Sequence, residues 1–258
     1  MKKESKDLGI MFLYPIVAVI ISFLFKPNAF GSVMLFLAVP SIYLSIRGVK
    51  YIKKSFIFSL VTTIPLMIVI DYIAHLTGMW NISNSILNGR LFDYVTIEVI
   101  LWAFFTCYLV VIFYEYFIDK HASKRLWTPK LKYLLMTSLL IFIAFIVMFF
   151  NFPNLLNIPY FYLCFGVVLT LLPFLFQWFE FPHVTKKFLL VGIFFFYLHS
   201  LYEITALKIG WWTFPGKDFI GLVSLFGVTF PIEEVIFWFI LLALAILSFY
   251  EYFDDNEK

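Results

Sequence analysis

Eight predominantly apolar runs of about 17 residues or more punctuate the chain, each long enough to cross roughly 30 Å of hydrocarbon as a helix. They lie near 9–25, 30–46, 55–76, 93–118, 131–150, 159–180, 187–207 and 220–250. Inside a bilayer no water is available to backbone N–H and C=O groups, so each run must satisfy its own hydrogen bonds, and an α-helix does so within one segment. The expected fold is an all-α integral membrane protein of about eight transmembrane helices. Composition removes the soluble alternative: 63% of the 258 residues are hydrophobic, 14% are charged and the mean hydropathy is +0.95. Soluble domains are about 45 to 50% apolar and 25% charged. The first run follows Met1 to Lys6, and it is too long for a signal-peptide core and lacks a small-residue cleavage site, so it is read as a retained span.

Basic residues report topology. With alternating sides for successive connections, 15 of the 19 Lys and Arg residues fall on the side of the termini. Lys26, Arg90, Lys208 and Lys217 fall on the other. The positive-inside rule then expects both termini in the cytoplasm of a multi-pass cell-membrane protein. The net charge of +3 forms no basic stripe, so no nucleic-acid partner is expected. Cys107 and Cys164 both lie in apolar runs and offer neither a disulfide framework nor a metal-ligand spacing.

The chain repeats itself. Phe113 to Phe117 and Phe249 to Phe253 both read FYEYF, and the same 136-residue offset carries Glu98, Val99, Ile100 and Trp102 onto Glu234, Val235, Ile236 and Trp238. Upstream, an offset of 132 carries Asp71, Gly78 and Trp80 onto Glu203, Gly210 and Trp212. Chance similarity between greasy segments matches Leu and Phe, not acids, Gly and Trp in order. The expected organisation is two parallel four-helix repeats, residues 1–125 and 126–258, related by a pseudo-twofold axis along the membrane normal.

Five acids in this pattern approach one face of the bilayer: Asp71, Glu98, Glu203, Glu233 and Glu234. An ionised Asp at mid-membrane costs about 2.5 to 3.5 kcal/mol on insertion scales, so several together need a reason. One reading is structural pairing with Arg, Lys or backbone groups. Few basic residues share their depth. His75, four residues after Asp71, and His199, four before Glu203, lie on the same helix faces and are expected to hydrogen-bond those acids. Pro231-Ile232-Glu233-Glu234 is the most informative tetrapeptide, because a proline inside a span frees carbonyls in the preceding turn. Adjacent carboxyls in a dry site can share a proton, one donating while its neighbour accepts. Trp80, Trp211 and Trp212 follow Gly78 or Gly210 at the depth of an interfacial belt. The alternative role for these rings is a π-wall around a developing carbocation. Glu115 and Glu251 read as interfacial caps.

No dinucleotide fingerprint, P-loop, zinc motif or Cys cluster is present, so no cofactor and no metal are expected. The paired Asp-rich helices of a Mg-diphosphate prenyltransferase are missing too, since Asp254 and Asp255 lie in the polar tail.

These residues resemble the lycopene cyclase domain family of membrane-integral, flavin-independent carotenoid cyclases. The resemblance rests on Pro231-Ile232-Glu233-Glu234 running into Val235-Ile236-Phe237-Trp238, on the two acid, Gly and Trp series, and on the tandem repeat, and it covers essentially the whole chain. It implies the fused tandem form. The family's Pro-x-Glu-Glu motif falls on Pro231, Glu233 and Glu234, while the first copy offers Val95, Thr96, Ile97 and Glu98. The resemblance further implies a redox-neutral intramolecular lyase or isomerase that closes rings at the ends of lycopene, a polyene dissolved in the bilayer. Glu233 and Glu234 become the leading acid/base pair, with Glu98, Asp71 and Glu203 secondary. Trp80, Trp211, Trp212, Pro231 and Trp238 become substrate contacts. Other readings stay open: a cyclase or hydratase of another polyisoprenoid, a proton-coupled transporter, or a lipid-binding scaffold, each as a monomer or a homo-oligomer. The expected centre is single and dominated by the second copy.

Overall fold

The computed structural model describes residues 2–83, 85–86, 89–120 and 126–253. The expected repeat boundary after residue 125, together with Lys124, Arg125, Asp254, Asp255 and Lys258, lies outside the described residues. Eight helices are long and apolar enough to cross a membrane, which makes this an all-α multi-pass membrane protein. They are α1 (Lys3–Phe25), α2 (Ala29–Arg47), α3 (Val49–Leu76), α4 (Ile97–Asp119), α5 (Pro129–Asn151), α6 (Phe161–Glu180), α7 (Pro182–Ile209) and α8 (Glu234–Phe253).

Two of these spans carry the same irregularity. Pro40 in α2 and Pro173 in α6 have no N–H for the carbonyl four residues earlier. In each span a widened π-type stretch, Met34–Ala38 and Val167–Leu171, stands just before the proline. Such local adjustment re-pairs freed carbonyls where water cannot. The two stretches are 133 residues apart.

Contacts between the halves obey the same offsets. The first span of each half packs on the third span of the other, α1 on α7 and α5 on α3. Trp102 of α4 stacks on Trp238 of α8, with ring centroids 3.9 Å apart. Tyr114 donates its hydroxyl to Glu251, and Tyr250 donates to Glu115. In the connections at the opposite end, β1 (Asn81–Ile82) pairs antiparallel with β2 (Trp212–Thr213), Asn81 facing Thr213. When residue i meets j and the equivalent of j meets the equivalent of i, the pair is related by a twofold axis. These contacts trace that axis along the bundle, between α4 and α8.

Two expectations change. Glu115 is buried and accepts a hydrogen bond across the halves, so it and Glu251 act as an internal latch and not as interfacial caps. The eighth run does not begin as helix at residue 220. β3 (Leu222–Leu225) and β4 (Val228–Pro231) form a hairpin first. Phe226 and Gly227 have φ of 50° and 76°, the left-handed pair that a two-residue hairpin turn requires. Pro231 therefore ends a strand ahead of α8, and the carbonyls preceding it belong to no helical turn. Apolar periodicity alone could not separate a short buried strand from helix here.

The helix ends sort into two groups. Glu4 pairs with Lys120, Asp7 with Arg47 and Asp119 with Lys187, so the start of α1, the ends of α2 and α4 and the start of α7 share one end of the bundle. Thr128 donates to the Phe253 carbonyl at 2.5 Å and adds the start of α5 and the end of α8. All five candidate acids occupy the other end.

Candidate acid/base site in an apolar slot

Each acid is held by a donor that its own half supplies. In the first half the Trp80 indole N–H donates to Asp71 at 2.7 Å; in the second the Trp212 indole donates to Glu203 at 2.8 Å. Both pairs are nine residues apart, spanning a helix end and a turn whose glycine, Gly78 or Gly210, has positive φ. That turn needs a glycine at little steric cost. Gly78 is also crowded, since its carbonyl accepts from the Gly216 N–H at 2.7 Å and a Cβ on Gly216 would sit 2.8 Å from it. Trp80 and Trp212 thus anchor acids and are not simple lipid-belt residues.

Asp71 is fully occupied by the protein. It also accepts from the Thr96 N–H at 2.9 Å and lies 2.9 Å from His75 Nδ1. His199 behaves differently from the expectation for Glu203: its Nδ1 lies 3.2 Å from the Trp238 carbonyl, and its ring stacks on Trp238 at 4.4 Å. The i−4 spacing shares a helix face, but the stack turns the imidazole toward α8.

Glu98 and Glu233 carry matching roles. Glu98 accepts from Ser85 Oγ at 2.8 Å and the Ile86 N–H at 2.5 Å; Glu233 accepts from the Ile220 N–H at 2.7 Å. Both are near the first turn of their helix and both tie down the connection that precedes it. By offset and by bordering the cavity Glu98 matches Glu234, but by hydrogen-bond role it matches Glu233. Ile97-Glu98-Val99-Ile100 corresponds to Ile232-Glu233-Val235-Ile236, so Glu234 is one additional residue. α8 absorbs it in a π-helical stretch, Glu234–Leu241, whereas α4 begins as regular α-helix from Ile97–Phe113. A one-residue insertion accommodated as a π-bulge recurs at functional positions because it re-aims a side chain without breaking the helix.

Glu234 is re-aimed into a cavity of about 470 Å³ between the halves. Glu98 and Glu203 also border it, while Asp71, Glu233, Pro231 and Trp211 do not. Trp211 instead donates to the Pro27 carbonyl at 2.6 Å and packs on Phe36, a structural anchor. Trp80, Trp212 and Trp238 border the cavity, joined by Trp102. Burial of Glu203 and Glu234 side by side makes them repel when both are ionised. The three cavity acids therefore come from three helices, two of them from the second half.

Tyr162 escaped the reading of the sequence. Its hydroxyl donates to Glu234 at 2.5 Å from α6, and it borders the cavity. A lone Tyr in an apolar run gives no linear signal of this pairing, since its partner is 72 residues away. The packing that delivers it depends on Gly166, one helical turn later, where an added Cβ would lie 2.3 Å from the Phe237 ring. Gly166→Ala is expected to destabilise the folded protein by about 1 to 3 kcal/mol through overpacking. Unchanged thermal stability in detergent would show that α6 and α8 can separate freely there.

Below the acids the cavity continues as an apolar slot along one face of α8, past Trp238, Leu242, Ala245, Phe249 and Phe253. From Glu234 to Phe253 this is about 28 Å at 1.5 Å per residue. Dry walls, carboxyls gathered at one end and π-faces beside them suit proton transfer to and from an apolar chain. Comparison of the protein with family models, with curated proteins and with solved structures finds no match.

Proposed function

We propose that this membrane protein is a redox-neutral polyene cyclase of the lycopene β-cyclase type. The observation that carries this reading is the placement of Glu98, Glu203 and Glu234 at one end of a long apolar slot within the bundle. Sequence resemblance and slot chemistry support the same reaction class. A carboxylic acid adds a proton to the terminal C=C of a linear end group, leaving a tertiary carbocation. A neighbouring C=C of the same chain attacks it and closes a six-membered ring. A carboxylate then takes a ring proton, and a ring C=C forms. One proton enters and one leaves, so no oxidant, reductant or cofactor is consumed.

In this mechanism Glu234 is the leading donor, oriented by Tyr162, and Glu203 is the leading acceptor. Glu98, fixed by the outer connection, completes the polar end. Glu233 and Asp71 become positioning residues: the first holds the connection that precedes α8, the second holds Trp80. Aromatic faces of Trp80, Trp102 and Trp212 would stabilise the passing cation by up to about 2 kcal/mol each when desolvated, with Trp238, stacked on both Trp102 and His199, backing that wall. Excluding water keeps the cation from becoming an alcohol. The two four-helix units, residues 1–125 and 126–258, act together, because the slot is walled by both. The excess of Lys and Arg on the side of the termini supports cytoplasmic termini in a cell membrane, with the acids toward the opposite face.

Co-expression in lycopene-producing bacteria tests the reading. Yellow β-ring products are expected. Unchanged red lycopene, with the protein verified as folded in the membrane, would overturn the enzyme assignment and leave a lipid-binding or transport role.

A further inference from the structure

The pseudo-twofold axis that relates the halves should generate two slots, one on each side of the α4 and α8 pair, yet among the described residues one is open and its twin is filled. On the open side α3 contributes Thr62, Thr63, Met67 and Ile70 to the wall. At the 132-residue offset, α7 carries Phe194, Phe195, His199 and Tyr202, all fully or almost fully buried. Two threonines, a methionine and an isoleucine are thus replaced by four rings, and these fill the twin space. Phe194 and Phe195 stack on and edge into Phe113 with centroids 4.5 and 5.7 Å apart, and Tyr202 stacks on Phe36 at 4.7 Å.

The lateral seams differ in the same direction. On the closed side α1 is tied to α2: Tyr14 donates to the Leu35 carbonyl at 2.8 Å, and Asp7 accepts from Tyr43 at 2.6 Å and from Arg47 at 2.9 Å. Their counterparts α5 and α6 share no hydrogen bond among the described residues. α5 packs on α3 through Phe145 and Tyr72 near the acid end, with centroids 5.1 Å apart. Nearer the termini, Tyr133, Thr137 and Ile141 of α5 border the slot while remaining exposed on the outer surface of the bundle, Tyr133 at 66% and Ile141 at 41%. A residue that lines a cavity and faces the surrounding lipid at once marks an opening.

We infer that the protein holds one linear polyisoprenoid chain per molecule, inserted end first through a lipid-facing portal between α5 and α6, with its end at the carboxyls. The occupant follows from the dimensions: about 470 Å³ drawn out over about 28 Å is a long apolar space that accepts an extended acyclic chain, whereas a compact ligand would leave most of it empty. Carboxyls at one end only give the chain a direction. Each encounter therefore exposes one end to chemistry, and the second end of a symmetric polyene needs release and re-entry. This inference rests on the polyene reading above, but it concerns binding and its test does not depend on turnover.

The experiment measures polyene retained per chain, by visible absorbance, on protein purified from lycopene-producing cells. Wild type is expected to hold one chain per molecule. Thr137→Trp and Ile141→Trp, placed at the portal rim, are expected to lower retention roughly tenfold, equivalent to about 1.4 kcal/mol. Ile143→Trp, on a lipid-facing position of α5 that does not border the slot, should retain the wild-type amount and serves as the folding control. Two chains per molecule would overturn the single slot. Undiminished retention in both rim variants would overturn the portal, and no retention by folded wild type would overturn the occupant. Retention without ring closure would instead sink the cyclase reading and leave the portal standing.

Discussion

Glu234→Gln is expected to lower ring closure by about 10²- to 10⁴-fold, the range contributed by a positioned general acid or base. The amide matches the carboxyl in shape and still accepts from Tyr162, so the protein should remain in the membrane at its normal level. Glu98→Gln should lose at least about tenfold less, or roughly 1.4 kcal/mol less of barrier. The difference arises because Glu98, although it borders the slot, accepts from Ser85 and Ile86 of the preceding connection as Glu233 does from Ile220, whereas Glu234 faces the slot with its carboxyl oriented by Tyr162. Glu233→Gln is correspondingly expected to weaken the seating of the segment before α8 more than the chemistry. Pigment composition normalised to membrane protein reads all three. Equal losses at Glu98 and Glu234 would favour a shared centre, and a larger loss at Glu98 would reverse the assignment.

The largest expected effect on stability lies at the opposite end of the bundle. Tyr114 and Tyr250 each donate a hydroxyl across the halves to Glu251 and Glu115. Hydrogen bonds to charged partners contribute about 1.5 to 3 kcal/mol each, and the double variant loses two of them. Tyr114→Phe with Tyr250→Phe is therefore expected to cost several kcal/mol, a large fraction of the roughly 5 to 15 kcal/mol by which folded proteins are stable. The rings are 6.5 Å apart, close enough that the two losses will not add independently. Tyr197→Phe is the comparison, since its hydroxyl donates to the Phe12 carbonyl on the exposed surface. Thermal denaturation in detergent should show a marked drop for the double variant and little for Tyr197→Phe. A similar small change in both would mean that these two hydroxyls contribute little to holding the halves together.

Several elements were legible from residues alone. The eight spans are bounded where apolar runs meet charge, glycine or proline, and α2 survives Pro40 because a π-type stretch precedes it. The offset pairs of acid, Gly and Trp marked Asp71, Trp80, Glu203 and Trp212 as residues that recur together, but the indole-to-carboxylate bonds joining them were not foreseen, because a belt or π-wall role fitted the same rings. The hairpin before α8 was not legible, because Leu222 to Pro231 is as apolar as a span and only the turn at Phe226 and Gly227 separates the two. Nor was Tyr162, whose partner is distant in sequence.

What the sequence determined by itself is set by local physical quantities: hydropathy fixes how many segments enter lipid, and the repetition of unusual residues fixes that the halves are related. Facing is not local. Whether the extra carboxyl of Glu233-Glu234 is the first or the second depends on where α8 widens its turn, and tertiary packing decided that it is Glu234. One slot is open and its twin closed because Phe194, Phe195, His199 and Tyr202 find partners across the bundle. That outcome depends on the volume of neighbours brought together by the fold, and rings on an isolated helix carry no record of which space they will fill.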